Sequence, residues 1–284
     1  MADTPTAPGP TIADALRLAA QRQLARLDAQ LLLLQALGRP HDARAWLLAH
    51  DDEPVAPEAL ARFEHLVAQR LDGVPVAYLL GEREFFGLRL QVDKRVLDPR
   101  ADTETLVNWA LSLCDASTPS RLLDLGTGSG AIALALRHAR PQAEVWAVDA
   151  SADALAVARA NAERLQLPVH LLQGRWFAPV QGCFDLIVSN PPYIAEHDPH
   201  LAALRHEPRQ ALVAGADGLD DLRQIVRAAP AHLHPTGWLL LEHGHDQAAA
   251  VCALLREAGF LNVQSRNDLA GIARCSGGQR GSVE

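Results

Sequence analysis

The sequence predicts an α/β protein. A mostly parallel sheet is covered by helices, and a small helical region and a hairpin-like linker precede it. Three observations carry that expectation. From Arg121 onward, short apolar runs of strand length alternate with helix-length amphipathic segments, the pattern of a parallel sheet built from crossover units. Before Asp72 the apolar residues recur at three and four, as on helix faces. Between Pro75 and Asp98 the period changes, and "EFFGLRLQV" alternates apolar and polar after Gly87.

Residues 1–10 are rich in Pro and Thr and read as a disordered start. From Thr11 the helical pattern begins, with Leu24, Leu27, Leu31 and Leu34 as one apolar stripe. Ala43, Trp46, Leu47 and His50 mark a short second unit. Pro57 opens a third helix, "PEALARFEHLVAQRL", whose stripe is Leu60, Phe63, Val67 and Leu71 and which Gly73 and Pro75 end. These segments define a helical domain over 1–75. A linker over 76–110 holds the hairpin and then a helix starting in "DPRADTETLVNWALSL", with Asp102 or Thr103 as its cap. The third domain, 111–284, runs strand "RLLDLG", helix "GAIALALRHA", strand "EVWAVDA", helix "ADALAVARANAERLQL", strands "VHLLQG" and "FDLIVSN", helix "LDDLRQIVRAAPAHL", strand "GWLLLEHG" and helix "DQAAAVCALLREAGF". "NVQSRNDL" and "IARCS" close it as an antiparallel pair before a loose Gly-rich end.

Composition sets outer limits. Of 284 residues, 49% are hydrophobic and 21% charged, enough for a full core. A net charge of -8 opposes a broad electrostatic footprint for duplex nucleic acid and favours a protein or small-molecule partner. The four cysteines, Cys114, Cys183, Cys252 and Cys275, are scattered, which indicates reduced thiols and a cytoplasmic protein. The start "MADTPTAPGP" is no secretory signal, and "LLLLQAL" is too short for a bilayer span. His197 with His200, and His243 with His245, lack a convincing third ligand, so no metal is expected.

Two loops carry the chemistry. In "LLDLGTGSGAIALAL", Gly126, Gly128 and Gly130 fall between a strand and a helix, where glycine permits a tight turn and close approach of a ligand. Asp149 ends the next strand, the position from which a carboxylate accepts from both hydroxyls of a ribose. The spacing is G-x-G-x-G, not the dinucleotide fingerprint. With Asp124 before the turn it resembles the first motif of S-adenosylmethionine-dependent methyltransferases, which implies S-adenosyl-L-methionine as cofactor and a site drawn from Asp124, Gly126, Thr127, Gly128, Ser129, Gly130 and Asp149.

The second loop is "SNPPYIAE". Each proline fixes its own φ and restricts the residue before it, so Asn190 and Pro191 are held rigid. The Asn190 side-chain oxygen and the Pro191 carbonyl then converge as two acceptors for a planar NH2 group. Such a pair orients a poorly nucleophilic nitrogen and stabilises the positive charge that builds on it during methyl transfer. Pro192 stiffens the loop and Tyr193 supplies an aromatic wall. An adenine or guanine amino group and a glutamine amide all satisfy this geometry.

The rest of the chain separates these. "GVPVAYLLGEREFFGLRLQVDKRVLDPRADTETLV", "LLDLGTGSGAIALAL", "AVDAS", "FDLIVSNPPYI" and "LLLEHG" resemble the HemK/PrmC family, the N5-glutamine methyltransferases of peptide chain release factors. The first stretch, with Glu84-Phe85 and Pro99-Arg100-Ala101-Asp102-Thr103-Glu104, is the most informative, because general methyltransferases lack it. The departures are mild: family members more often carry proline at Ala101 and an aliphatic residue at Asp98.

The resemblance implies a Rossmann-like catalytic domain and a substrate-recognition role for the helical domain. It implies a release factor as partner, with no direct nucleic acid and no membrane, and the glutamine of a Gly-Gly-Gln motif as the methyl acceptor. It implies a glutamine pocket of Phe85, Asn190, Pro191, Pro192 and Tyr193, and an adenine flanked by Trp176, a residue that a core would also accommodate. Asn190 would touch both cofactor and substrate. The tail carries the same tripeptide, Gly277-Gly278-Gln279, read as a chance feature of a loose end. Two other readings compete: an amino-methyltransferase acting on an rRNA or DNA base, which the acidic balance and the linker oppose, and a non-catalytic scaffold, which the intact Asn190 loop opposes.

Overall fold

The computed structural model describes residues 9–115 and 118–281. The chain divides into two compact units, Met1–Gly81 and Glu82–Glu284. The span 76–110 is thus divided, its first helix lying in the first unit and its hairpin in the second.

The first unit contains α1 (Ile12–Gln21), α2 (Arg26–Ala36), α3 (Arg44–Ala49), α4 (Pro57–Leu71) and α5 (Val76–Leu80). Thr11 and Asp14 form a reciprocal capping box at the start of α1. Residues 1–8 of the Pro- and Thr-rich start lie outside the described residues; Pro10 accepts a backbone bond from Val55 at 2.9 Å. The core gathers Ile12, Leu32, Leu33, Leu34, Leu47 and Phe63. The stripe read from Leu24, Leu27, Leu31 and Leu34 is corrected: Leu27 is 49% exposed while Leu32 and Leu33 are fully buried. Four consecutive leucines contain no polar residue to mark the phase of the helix. Arg70 Nε donates to Asp28 at 2.7 Å and joins α4 to α2.

The second unit begins with the expected hairpin, β1 (Glu82–Phe85) and β2 (Leu88–Gln91). Its two-residue turn puts Phe86 and Gly87 at φ 51° and 76°, the left-handed pair that suits a tight hairpin. A 3₁₀ turn, Ala101–Thr103, leads into α6 (Glu104–Leu113). Neither Asp102 nor Thr103 caps that helix through its side chain.

The remaining elements are β3 (Arg121–Leu125), α7 (Ala131–Ala139), β4 (Glu144–Asp149), α8 (Ala152–Leu165), β5 (His170–Gln173), β6 (Phe184–Ser189), α9 (Asp220–Ala228), β7 (Leu233–Glu242), α10 (Ala248–Glu257), β8 (Leu261–Asn267) and β9 (Ala273–Gln279). Seven strands form one sheet in the order β5-β4-β3-β6-β7-β9-β8. The pairs from β5 to β7 are parallel, and the two involving β9 are antiparallel. Successive side chains alternate faces, and Leu122 and Leu123, like Leu186 and Ile187, are all buried, so both faces are covered. Leu123, Ile187 and Leu239 pack with Leu222 and Ile225 of α9 and Val251 of α10.

The C-terminal end differs from the sequence expectation. Gly277, Gly278 and Gln279 are not a loose tail; they pair with Leu240, Leu239 and Trp238 inside the sheet. A Cβ on Gly277 would lie 2.5 Å from Leu240 Cδ2 and 2.9 Å from Trp109, so glycine there answers a close approach of packed groups. Gln279 is therefore held in the sheet, its Oε1 accepting from Asn262 Nδ2 at 2.8 Å and its Nε2 donating to the Thr236 carbonyl at 2.9 Å.

Candidate active site

Strand order reverses between β3 and β6, and open α/β sheets bind ligands at the carboxyl end of that switch point. Leu125 and Ser189 are register partners at the ends of these strands. Ser189 Oγ donates to the Leu125 carbonyl at 2.6 Å. The glycine loop and the N-P-P-Y loop thus leave the sheet side by side.

The glycine loop is held by its own motif and by the end of β4. Gly126 and Thr127 donate to the Val148 carbonyl at 2.8 and 3.0 Å. Gly126 has φ 73°, and a Cβ there would stand 3.3 Å from the Trp176 ring. Asp124 is fully buried and accepts from Thr127 Oγ1 at 2.6 Å and from the Ala133 N–H at 3.2 Å. Burial pushes its carboxyl up to about 7. Asp149 accepts from the Gly128 and Ser151 N–H groups at 2.9 and 2.8 Å. Burial raises its pKa as well, and these donors oppose the rise.

A cavity of about 340 Å³ opens at this edge, and Gly126, Gly128, Asp149, Trp176, Asn190 and Pro192 line it. Asp124, Thr127, Ser129 and Gly130 do not. They build the loop beneath it, with Thr127 and Ser129 buried. Trp176 satisfies both sequence readings, since it lines the cavity and also packs on the hydrophobic core. Its Nε1 donates to Asp221 Oδ1 at 3.2 Å, and Arg175 Nη2 donates to the same oxygen at 2.8 Å.

The N-P-P-Y loop is held from outside. Asn190 Nδ2 donates to Thr103 Oγ1 at 3.2 Å, so the amide presents Oδ1 as its acceptor. Gln247 Nε2 donates to the Tyr193 carbonyl at 3.0 Å. Gly218 lies against the same carbonyl, 2.2 Å from where a Cβ would be. The Tyr193 hydroxyl donates to Glu242 Oε1 at 3.4 Å. Burial, with the Glu242 charge beside it, pushes the phenol pKa far up. Neither Tyr193 nor Pro191 lines the cavity, and Phe85, 1% exposed, is enclosed rather than facing it.

Sequence reasoning missed the residues that hold these parts together. Asn161 is fully buried on α8. Its Oδ1 accepts from the Gln91 N–H at 2.7 Å, and its Nδ2 donates to the carbonyls of Gln91 and Ser129 at 3.0 Å each. Glu104 accepts from the Phe86 N–H at 3.0 Å, which explains why the hairpin and the T-E element occur together. Glu207 accepts from the Asp98 N–H at 3.1 Å and from Arg100 Nη2 at 2.5 Å. Asp98, the unusual residue of that stretch, is buried with Arg83 and Arg100 at 3.5 and 3.6 Å. The quoted motifs already contained Thr103, Glu104 and Glu242, but spacing alone assigned them no partner. His243 is buried, bonded to the Gly244 carbonyl and to Ser276 Oγ.

A mostly parallel seven-stranded sheet with a glycine loop and an N-P-P-Y loop at its switch point defines a Rossmann-like methyltransferase. Residues 110–265 match the methyltransferase small domain, and residues 13–81 match the PrmC N-terminal domain. A release factor glutamine methyltransferase of Bordetella pertussis is 53% identical over 92% of this chain and 97% of its own. One of Xylella fastidiosa is 51% identical over 93% and 98%. A methyltransferase structure from Pyrococcus furiosus, 21% identical, covers 69% of this chain and 90% of its own at a TM-score of 0.54, a likeness of fold. The chain belongs to the release factor glutamine methyltransferase family. Among the described residues, no helix is long and apolar enough to cross a membrane.

Proposed function

We propose that this chain transfers a methyl group from S-adenosyl-L-methionine to the side-chain amide nitrogen (N5) of the glutamine in the Gly-Gly-Gln motif of peptide chain release factors, in the cytoplasm. The observation that carries the reading is the Asn190 amide, whose Nδ2 is engaged by Thr103 and whose Oδ1 remains to accept, beside the glycine loop. In this reading the Pro191 carbonyl is the second acceptor for the planar NH2, although Pro191 is buried and does not line the cofactor cavity.

The cavity residues fit the cofactor. Gly126, without a side chain, packs against the Trp176 ring, that ring lines the cavity as a partner for a base, and the Asp149 carboxylate suits ribose hydroxyls. When bound, the cofactor supplies an electrophilic methyl on a sulfonium. The protein orients the amide nitrogen toward that methyl and stabilises its growing charge through Asn190 and Pro191. The acceptor pair would also hold the amide hydrogens until one of them is released to water. In this reading Pro192 and Tyr193 shape the substrate's surroundings, and the helical unit helps recognise the release factor.

The test is labelling with methyl-labelled cofactor and, separately, release factor, rRNA and DNA. One methyl per release factor, lost when the motif glutamine is replaced, is the expected result. Label in rRNA or DNA alone would move the activity to a base amino group.

A further inference from the structure

Trp176 stands in the loop after β5 with φ 49°, a left-handed backbone that a bulky side chain rarely adopts and that persists only where its surroundings hold it. Among the described residues, no other non-glycine residue with positive φ lines the cavity. Three contacts hold this one. The ring packs on the hydrophobic core. Its far edge lies against the glycine loop, 3.3 Å from where a Cβ on Gly126 would be. Its Nε1 donates to Asp221 Oδ1 at 3.2 Å.

Asp221 needs an explanation of its own. It lies in the first turn of α9, where a carboxylate suits the helix dipole. Its neighbour Asp220 already meets that need from an exposed position, paired with Arg223 at 3.1 Å. Asp221 is instead 6% exposed and borders the cavity. Burying a carboxylate is costly unless it is paired and hydrogen-bonded. The exposed Arg175 supplies the opposing charge, its Nη2 donating to Oδ1 at 2.8 Å. The same oxygen serves the indole. Successive side chains of an extended segment point in opposite directions. Here the side chains of 175 and 176 reach one oxygen, and the left-handed turn at Trp176 accompanies that convergence.

We propose that Asp221 is a positioning residue for cofactor binding. By accepting from Trp176 Nε1 it fixes the indole as a standing wall of the cavity, so that a planar base meets a ring already ordered and the cost of ordering it is not met on binding. The inference rests on the reading that this cavity takes S-adenosyl-L-methionine. It does not depend on which nitrogen accepts the methyl group.

Asp221→Ala, Asp221→Asn, Trp176→Phe and the Asp221→Ala/Trp176→Phe double variant are compared in the full chain. Calorimetry measures affinity for S-adenosyl-L-methionine without release factor. The indole ¹⁵N–H signal of Trp176, identified by its loss in Trp176→Phe, is followed in the chain without cofactor. Asp221→Ala is expected to weaken binding by about tenfold, the scale of a lost hydrogen bond to a charged group, and to shift the indole signal. Asparagine keeps an acceptor oxygen, and both of its neighbours are donors that demand one. Asp221→Asn should therefore hold affinity within about threefold and leave the signal near its parent position. In the Trp176→Phe background, itself weaker, Asp221→Ala should cost less than about twofold more, because residues that act through one contact are non-additive.

A parent chain that binds S-adenosyl-L-methionine but labels no release factor would remove the proposed methyl acceptor and leave the role of Asp221 to be decided by the variants. A parent chain that binds no cofactor would overturn the reading of the cavity and this role with it. With cofactor bound by the parent, an equal loss on Asp221→Ala with and without the indole would show that Asp221 acts on the cofactor directly or through α9. That result, an unmoved indole signal in Asp221→Ala, or an Asp221→Asn variant as impaired as Asp221→Ala would each overturn the positioning role.

Discussion

The glycine loop after β3 and the N-P-P-Y loop after β6 sit next to each other at one sheet edge, yet they are made rigid in opposite ways. The first gains its shape by removing side chains and is tied both by near neighbours and, mostly through its backbone, to the next strand and α8, at Val148, Asp149 and Asn161. Thr127 bonds to Asp124 three residues away, and Ala133 to the same carboxylate nine residues away. The second gains its shape from two successive proline rings and is tied by distant residues. Asn190 bonds to Thr103 across 87 positions, Tyr193 to Glu242 across 49 and Gln247 to Tyr193 across 54. The glycine loop is thus tied largely through backbone groups, whereas the N-P-P-Y loop is tied through the side chains of Thr103, Glu242 and Gln247 from three other parts of the domain.

The sharpest way to break this contrast is Asn190→Ala. We expect the rate of methyl transfer to fall by on the order of 10² or more, because one acceptor of a preorganised pair is lost. Cofactor affinity should stay within a few-fold, since Asp149, Trp176 and the glycine loop remain. Single-turnover kinetics with calorimetry separate the two quantities. Near-normal turnover would show that the second loop does not do the chemistry.

The same contrast explains what could be read in the sequence. The alternation of strands and helices, the hairpin and both loops were legible because period and turn chemistry are local properties. Asp124, placed by motif among the cofactor contacts, turned out to lie under the loop, since a motif records spacing but not which way a strand residue faces. Thr103, Asn161 and Glu207 were invisible as site residues, because each matters through a partner far along the chain. The Gly277-Gly278-Gln279 segment was misread for the complementary reason. Glycines usually mark a loose end, and only the neighbouring Leu240 and Trp109 show that here they make room in a packed sheet.

The first loop has its own test. Asp149→Ala should weaken S-adenosyl-L-methionine binding by roughly 1–3 kcal/mol, through lost charge-assisted bonds to ribose. It also frees the Gly128 N–H, which now donates to Asp149 at 2.9 Å. Turnover at saturating cofactor should change much less than affinity. If calorimetry shows an unchanged constant, the ribose is held elsewhere in the cavity and the loop's role shrinks to that of a turn.

Asp124→Asn should have the smallest effect on chemistry and sharpens the comparison through stability. Its carboxyl ordinarily titrates at 3.8, and burial raises it to about 7 in the folded chain. Below the lower value both states are protonated and the group costs nothing. Between about 4 and 7 the unfolded chain releases the proton while the folded chain keeps it, so stability falls as pH rises through this window and levels off above it. An asparagine keeps the oxygen that accepts from Thr127 and Ala133 but does not titrate. Its new N–H₂ meets the position of Asp124 Oδ1, which has no hydrogen-bond partner, and an unsatisfied donor there costs about 1–3 kcal/mol. That cost offsets part of the gain at neutral pH, so the diagnostic is the slope, not the absolute stability. From about pH 5 to 7 the variant should lose roughly 1–2 kcal/mol less than the parent, as one raised carboxyl is removed from the linkage. The slope should not vanish, because Asp98, Asp149 and Glu242 are also raised by burial. Urea denaturation of both proteins across this range measures it. Parallel slopes would mean that Asp124 is ionised in the folded protein and that the glycine loop holds a charge rather than a proton at its base.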